Sequence, residues 1–247
     1  MKNFSLFLLT ALSFFSVSAQ TANSTPKEPP PPPPGPYQWN QLVDAEWKSD
    51  SKNAGANWDI PGIKGTMFFN DFWAKGYLVI DSKSVMQDIP LRFNIYTNQI
   101  YFQHDSNTLV IDSKIPVSEF GLKADSLGNE MSVFRCGFPG NLNGNEKTYY
   151  QVLVQGNYAL LKHYGKKIIE HNDLSSGPEK LFLDSETYLV FNSLEKTMTP
   201  VSKNRKSFQK ALPKLSDKID QVLQHTNNHL KTENDLISLI AALNNSQ

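Results

Sequence analysis

The sequence predicts an α+β protein: a mainly antiparallel β sandwich, roll or partly open barrel, followed by a short C-terminal helical segment. Three observations carry that expectation. Apolar and polar residues alternate in many short stretches between Thr66 and Phe191, the period of a strand with one buried face. Two pairs of these stretches are joined by turn-forming residues. Beyond Val201 the apolar spacing changes to three and four residues, the period of a helix with one buried stripe.

Residues 1–19 read as a secretory signal. Lys2 supplies a positive start, Phe4 to Phe15 is mostly apolar, and Val17-Ser18-Ala19 places small residues before Gln20. The apolar run is shorter than the ~20 residues that span a bilayer. A soluble chain exported to the periplasm or the extracellular space is expected, with no transmembrane segment in its mature form. Residues 20–36 form a second unit. Eight of the fifteen prolines fall between Pro26 and Pro36, six of them consecutive from Pro29 to Pro34. Such a run favours a polyproline helix rising ~3.1 Å per residue. It reads as a stiff spacer, since nothing beside it specifies a groove that would bind it.

Residues 37–200 are expected to form the β-rich domain. Leu91 to Tyr96 and Gln99 to Gln103 alternate strictly around Thr97-Asn98. A two-residue turn would set Ile95 against Ile100 and Phe93 against Phe102, with Asn94 and Tyr101 on the other face. A second hairpin pairs Thr148–Gln155 with Tyr158–His163 across Gly156-Asn157. Glycine first in the turn suits type II′ geometry, which would set Val152 against Leu161 and Val154 against Ala159. Further strands are expected at Thr66–Phe69, Gly76–Ile80, Thr108–Ile111, Met131–Arg135 and Tyr188–Phe191. The phrase Val-Ile-Asp-Ser-Lys occurs twice, at Val79–Lys83 and Val110–Lys114, and Leu183-Asp184-Ser185 echoes it. The simplest reading is a strand running into a turn, with aspartate and serine bonded to nearby backbone.

Residues 201–247 are expected to be helical and packed on the sheet. Ser202 would cap a helix through Leu212, which Pro213 stops. Ser216 would cap a second, carrying Ile219, Val222 and Leu223. Thr232 and Asp235 resemble a capping arrangement for a third, carrying Leu236, Ile237, Leu239, Ile240 and Leu243.

Composition and motifs exclude more than they name. Twenty-four basic residues balance twenty-four acidic ones, so no field gathers nucleic acid and no such partner is expected. A single cysteine, Cys136, excludes an intrachain disulfide. Export argues against kinases and dehydrogenases, and neither a Gly-x-Gly-x-x-Gly nor a phosphate-binding lysine loop occurs. No cofactor and no metal are expected. His225 and His229 have the i, i+4 spacing of metal ligands, but Thr226-Asn227-Asn228 between them reads as a helix end. His163 shares the apolar face of the second hairpin. Cys136 reads as a small buried apolar residue next to a strand end.

The segments Gly65–Gly76, Pro90–Tyr96, Tyr149–Gly156 and Lys206–Leu212 resemble those of a family of exported bacterial proteins of unknown function. That resemblance implies export and a β-then-α layout. It supplies no catalytic motif.

Four tryptophans, Trp39, Trp47, Trp58 and Trp73, cluster near the start of the mature chain. They could stack on sugar rings, though packing onto the sheet is their simplest role. The function expected is therefore a non-catalytic binding or structural component of the bacterial cell envelope, its partner another envelope protein or a glycan. The alternatives are a glycan-binding module built on those tryptophans, or an exported hydrolase using Asp81, Asp112 and Asp184. The catalytic residues of such a hydrolase are not named by any motif.

Overall fold

A computed structural model describes residues 62–104, 107–123, 130–140, 144–173 and 177–245. The signal segment, the proline tract, Trp39, Trp47 and Trp58 lie outside the described residues. The fold is α+β, as expected. Eleven strands among the described residues join in one sheet: β1 (Ile63–Lys64), β2 (Ala74–Ile80), β3 (Ser84–Asn94), β4 (Gln99–His104), β5 (Asn107–Val110), β6 (Val117–Lys123), β7 (Met131–Arg135), β8 (Tyr150–Val154), β9 (Tyr158–Asp173), β10 (Gly177–Asn192) and β11 (Thr197–Val201). Their spatial order is β1-β10-β9-β8-β7-β6-β2-β3-β4-β5, with β11 beside β10. Every pairing is antiparallel except that of β1 with β10. It is one open, curled sheet rather than the two stacked sheets of a sandwich.

The order has one consequence for function. Strands β2 to β5 run outward as a meander, and β6 then returns to the far side of β2. The β5–β6 connection, residues 111–116, must therefore cross the meander from its β3–β4-turn end to its β2–β3-turn end. It starts beside β4, where the Ile111 amide donates to the Ile100 carbonyl at 3.0 Å, and finishes beside the β2–β3 turn, where the Asp81 amide donates to the Pro116 carbonyl at 3.1 Å.

The segment before β2 closes part of the curl. Among its described residues only Ile63–Lys64 forms a strand, against Lys180 and Leu181 of β10. The expected strand at Thr66–Phe69 is instead a strap with a single bridge, Phe68 to Asn94. It is held by bonds from the Phe69 amide to the Phe93 carbonyl and from the Ile95 amide to the Met67 carbonyl. The strap also corrects the first hairpin. Phe93 pairs with Ile100 and Leu91 with Phe102, because the Ile95 amide is already committed to Met67 and cannot extend the ladder. The turn is four residues, 95–98, closed by the Thr97 amide donating to Asn94 Oδ1 at 3.0 Å. A shift of two residues keeps each side chain on its expected face.

The second hairpin keeps Val152 opposite Leu161, but a bulge then sets Val154 against Leu160 rather than Ala159. Leu153, Val154 and Leu160 consequently all pack toward the helices. The type II′ turn does not form. The C-terminal helix supplies its bonds instead: Asn244 Nδ2 donates to the Gln155 and Tyr158 carbonyls at 3.2 and 2.9 Å, and Oδ1 accepts from the Tyr158 amide at 3.0 Å. Gly156, at φ +144°, leaves room for that amide, which would lie 2.5 Å from a Cβ there.

Three helices cover one face of β8–β11: α1 (Arg205–Ala211), α2 (Ser216–Thr226) and α3 (Glu233–Asn245). The cap of α1 is Asn204 rather than Ser202; its side chain accepts from the Ser207 amide. Ser216 makes no side-chain cap, because a 3-10 turn over Pro213–Leu215 leads directly into α2. The third cap is as expected, with the Asp235 amide donating to Thr232 Oγ1 at 3.2 Å and the Thr232 amide to Asp235 Oδ2 at 3.0 Å. Phe208, Ile219, Leu236, Leu239, Ile240 and Leu243 are fully buried against Leu160, Tyr188 and Val190 of the sheet. None of these helices is long and apolar enough to cross a membrane.

Candidate functional site

The core face of β2–β7 packs rings among aliphatic side chains such as Leu78, Ile80, Ile89, Leu91 and Leu122. Phe120 and Phe134 stack with centroids 4.9 Å apart, Phe93 packs within 5.1 and 5.2 Å of them, and Tyr149 stands edge-on to Phe120 at 4.9 Å. Such contacts hold aromatic side chains at preferred angles beyond simple burial. The rings do not fill the whole curl. Beneath the β5–β6 connection lies a cavity of about 580 Å³, within the size range of small-molecule sites. Its floor is the buried trio Ile100, Ile111 and Val117, all continuous with the aromatic core.

The two copies of Val-Ile-Asp-Ser-Lys meet at this cavity. Asp81 and Ser82 of the first and Asp112, Ser113 and Lys114 of the second all line it. Each copy is a strand running into a turn, as expected, but the turns differ. Asp81 and Ser82 both take positive φ, 52° and 55°, and the Lys83 amide closes onto the Ile80 carbonyl at 3.1 Å. This is the geometry of a type I′ hairpin turn. In the second copy Asp112 bonds its own turn: Oδ1 accepts from the Lys114 amide at 2.8 Å, and the Ile115 amide donates to the Asp112 carbonyl at 2.9 Å.

Asn98, at φ +57°, also lines the cavity. Its Nδ2 donates to the Lys147 carbonyl at 2.9 Å and its Oδ1 accepts from the Tyr149 amide at 3.1 Å. The β3–β4 turn is thereby latched to the segment leading into β8. Sequence reasoning missed Asn98, Lys147 and Tyr149. Asn98 was legible only as a turn residue, and the latch joins positions forty-nine and fifty-one residues apart.

Two protic groups face the cavity wall. Cys136 lies just past β7, half-buried, and its thiol donates to the Val117 carbonyl with Sγ 3.3 Å away. The Tyr149 hydroxyl donates to the same carbonyl at 2.9 Å. Burial pushes both acids up from their ordinary values, because the charged form would lose its water. Both groups stay protonated near neutral pH. No histidine lines this cavity, so Cys136 has no adjacent base to activate it.

The other sequence candidates sit elsewhere. Asp184 lies on the outer part of the β9–β10 hairpin, paired with Lys166 at 2.6 Å. His163 is half-buried with its ring 5.3 Å from that of Tyr150, and burial lowers its pKa. His225 ends α2 and His229 follows the left-handed Asn227, so no single helix face carries both. No cluster of metal-ligating side chains occurs among the described residues. Trp73 is half-buried against a small cluster of Phe68, Tyr101 and Val110, with the Arg92 guanidinium 5.7 Å from its ring centre.

No family model, curated protein or solved structure matches the chain.

Proposed function

We propose that the chain is an exported, non-catalytic binding protein of the bacterial cell envelope, and that the cavity beneath the β5–β6 connection is its ligand site. The observation that supports binding rather than turnover is the state of the two protic groups in the wall. Cys136 and Tyr149 share one carbonyl acceptor, and burial keeps both neutral. Neither is poised as a nucleophile or base. An apolar floor under a polar rim is the ordinary composition of a small-molecule site.

The test is a native mass spectrum of the protein recovered from its own cells, beside that of Ile115→Trp. Ile115 lines the cavity from the crossing connection, so a larger ring there occupies ligand space. A reproducible extra mass on the wild type, missing from the variant, is expected. A bare wild type, or the same mass on both, overturns the assignment.

A second reading draws on the same cavity, since its rim carries both Asp81 and Asp112. A hydrolase would need one to act as acid and the other as base or nucleophile. Separate Asp81→Asn and Asp112→Asn variants that lose turnover of a chromogenic glycoside or ester, while folding normally, would favour it.

A further inference from the structure

The β9–β10 hairpin outreaches the strands beside it. Its ladder runs without a register shift through sixteen pairs, from Tyr158 opposite Asn192 to Asp173 opposite Gly177. On one side β8 pairs with β9 only at Leu160, Leu161 and Lys162. On the other side β1 pairs with Lys180 and Leu181 of β10, and Lys64 closes onto Glu179 at 2.6 Å. The projecting arm thus has one edge occupied, while residues 164–173 of β9 have no strand beside them among the described residues. No backbone amide or carbonyl of that stretch bonds to a described residue outside the hairpin. Every second residue of such an edge turns its amide and carbonyl outward, where a further strand would satisfy them. Proline and bulges are common devices that keep an edge from pairing, and this one has neither.

The side chains of the arm are self-complementary. On one face of the hairpin Lys166 stands opposite Asp184, Ile168 opposite Phe182 and Glu170 opposite Lys180. The first pair is 2.6 Å apart and the last 3.7 Å. Two identical strands that pair antiparallel about a two-fold axis share one residue that faces its own copy, and this residue fixes the register. With Ile168 there, Lys166 meets Glu170 of the second copy. Each charged row across the four strands then reads Asp184, Lys166, Glu170, Lys180, alternating in sign. The row between them is Phe182, Ile168, Ile168, Phe182. Moving the axis to Lys167 sets two lysines face to face, and moving it to Ile169 sets Ile168 against Glu170. Like charges directly opposite are destabilising. We propose that the free edge of β9 is a self-association site, on which residues 164–172 pair antiparallel with the same residues of a second copy about Ile168. The site is independent of the cavity and its ligand.

Sedimentation of the full mature chain over a range of concentrations tests the site, and a reversible dimer is expected. Glu170 is exposed. Glu170→Lys sets lysine opposite Lys166 of the copy and should weaken the dimer at least about tenfold, with the melting temperature of the dilute monomer unchanged. Single cysteines read the register, once Cys136→Ser has removed the native one. Opposed Cα atoms of an antiparallel pair lie about 4.5–5.5 Å apart, within the span of a disulfide, so Ile168→Cys should cross-link into a dimer on oxidation. His171 would face Gly165 of the copy, so two cysteines at 171 would stand about 20 Å apart and should not cross-link. Amide exchange separates the other occupants of the edge: protection of residues 164–172 should rise with protein concentration. A chain that stays monomeric at every concentration overturns the proposal. So does a dimer indifferent to Glu170→Lys, or one that cross-links no better at 168 than at 171. Protection already complete in the monomer would overturn it too, since the chain would then cover its own edge.

Discussion

The two ends of the sheet are filled by different chemistry. At the β2–β7 end the strands provide their own core, with Phe93, Phe120, Phe134 and Tyr149 meeting ring to ring. At the β8–β11 end three helices bring Leu236, Leu239, Ile240 and Leu243 down onto Leu160 and Val190. Flat rings on a curled sheet meet at fixed angles and leave space where the curl opens. A cavity of about 580 Å³ lies at the first end and one of about 280 Å³, lined by Leu212–Leu215 and the β10–β11 turn, at the second; the helical end also holds the second hairpin.

The sharpest way to break that division is to remove one ring and one leucine. Phe120→Ala should cost about 3–5 kcal/mol and Leu239→Ala about 2–5 kcal/mol, since both side chains are fully buried. Denaturant unfolding measures both losses. Only Phe120→Ala should also change ligand affinity, because its ring packs on Tyr149 in the cavity wall. An equal effect of the two on binding would erase the distinction between the ends.

Gly156→Ala tests whether the helical end holds the hairpin turn. Its positive φ and the nearby Asn244 amide should make the substitution cost about 1–3 kcal/mol. Asn244→Ala should lose a similar amount through the three hydrogen bonds it removes. Unchanged melting temperatures for both would show that the turn stands without the helix.

A further tie at the same end is electrostatic. Lys162, on β9 and largely buried, meets Glu233 at 2.9 Å and Glu186 at 3.0 Å, and the Tyr188 hydroxyl donates to Glu233 at 2.8 Å. Burial alone would raise the Glu233 pKa, but its bonds to Lys162 and Tyr188 outweigh that and hold it below its ordinary 4.5. A carboxylate depressed on folding stabilises above its unfolded pKa, and that contribution is lost as pH falls through the folded value. Burial would lower the Lys162 pKa, yet its two carboxylate partners raise it overall. Its contribution is present below 10.5 and is lost only as pH rises beyond that. The tie therefore weakens below pH 4.5 and in strong alkali. Glu233→Gln should cost about 1 kcal/mol at pH 7 and flatten the acid limb of a stability–pH curve. An unchanged acid limb would contradict this account of how α3 is held.

The smallest effect separates the two copies of the repeated phrase. Ser82 holds a left-handed conformation that costs a non-glycine residue about 1 kcal/mol. Ser82→Gly should stabilise the protein by a few tenths of that, after glycine's own entropic cost. Ser113→Gly, in a turn that does not need positive φ, should instead destabilise it slightly.

These copies also mark how far the sequence could be read. The phrase was legible as a strand ending in a turn, and in both places it is one. That the copies face each other depended on β6 returning beside β2, a long-range choice that local alternation does not encode. Strand β7, the third helix cap and the helix stripes were legible because their patterns are short and self-contained. The first hairpin's register moved, and the second kept Val152 opposite Leu161 but shifted beyond a bulge; in each a distant group, Met67 in one and Asn244 in the other, bonds the backbone near the turn. The cavity rim was illegible for that reason too, since Asn98 finds its partners at Lys147 and Tyr149.

The most direct test of the central claim is the native mass spectrum of protein recovered from its own cells, taken for the wild type and for Ile115→Trp under identical conditions. The account predicts a reproducible added mass on the wild type that the filled cavity no longer carries. A bare wild-type chain, or an added mass that survives the tryptophan, would contradict it.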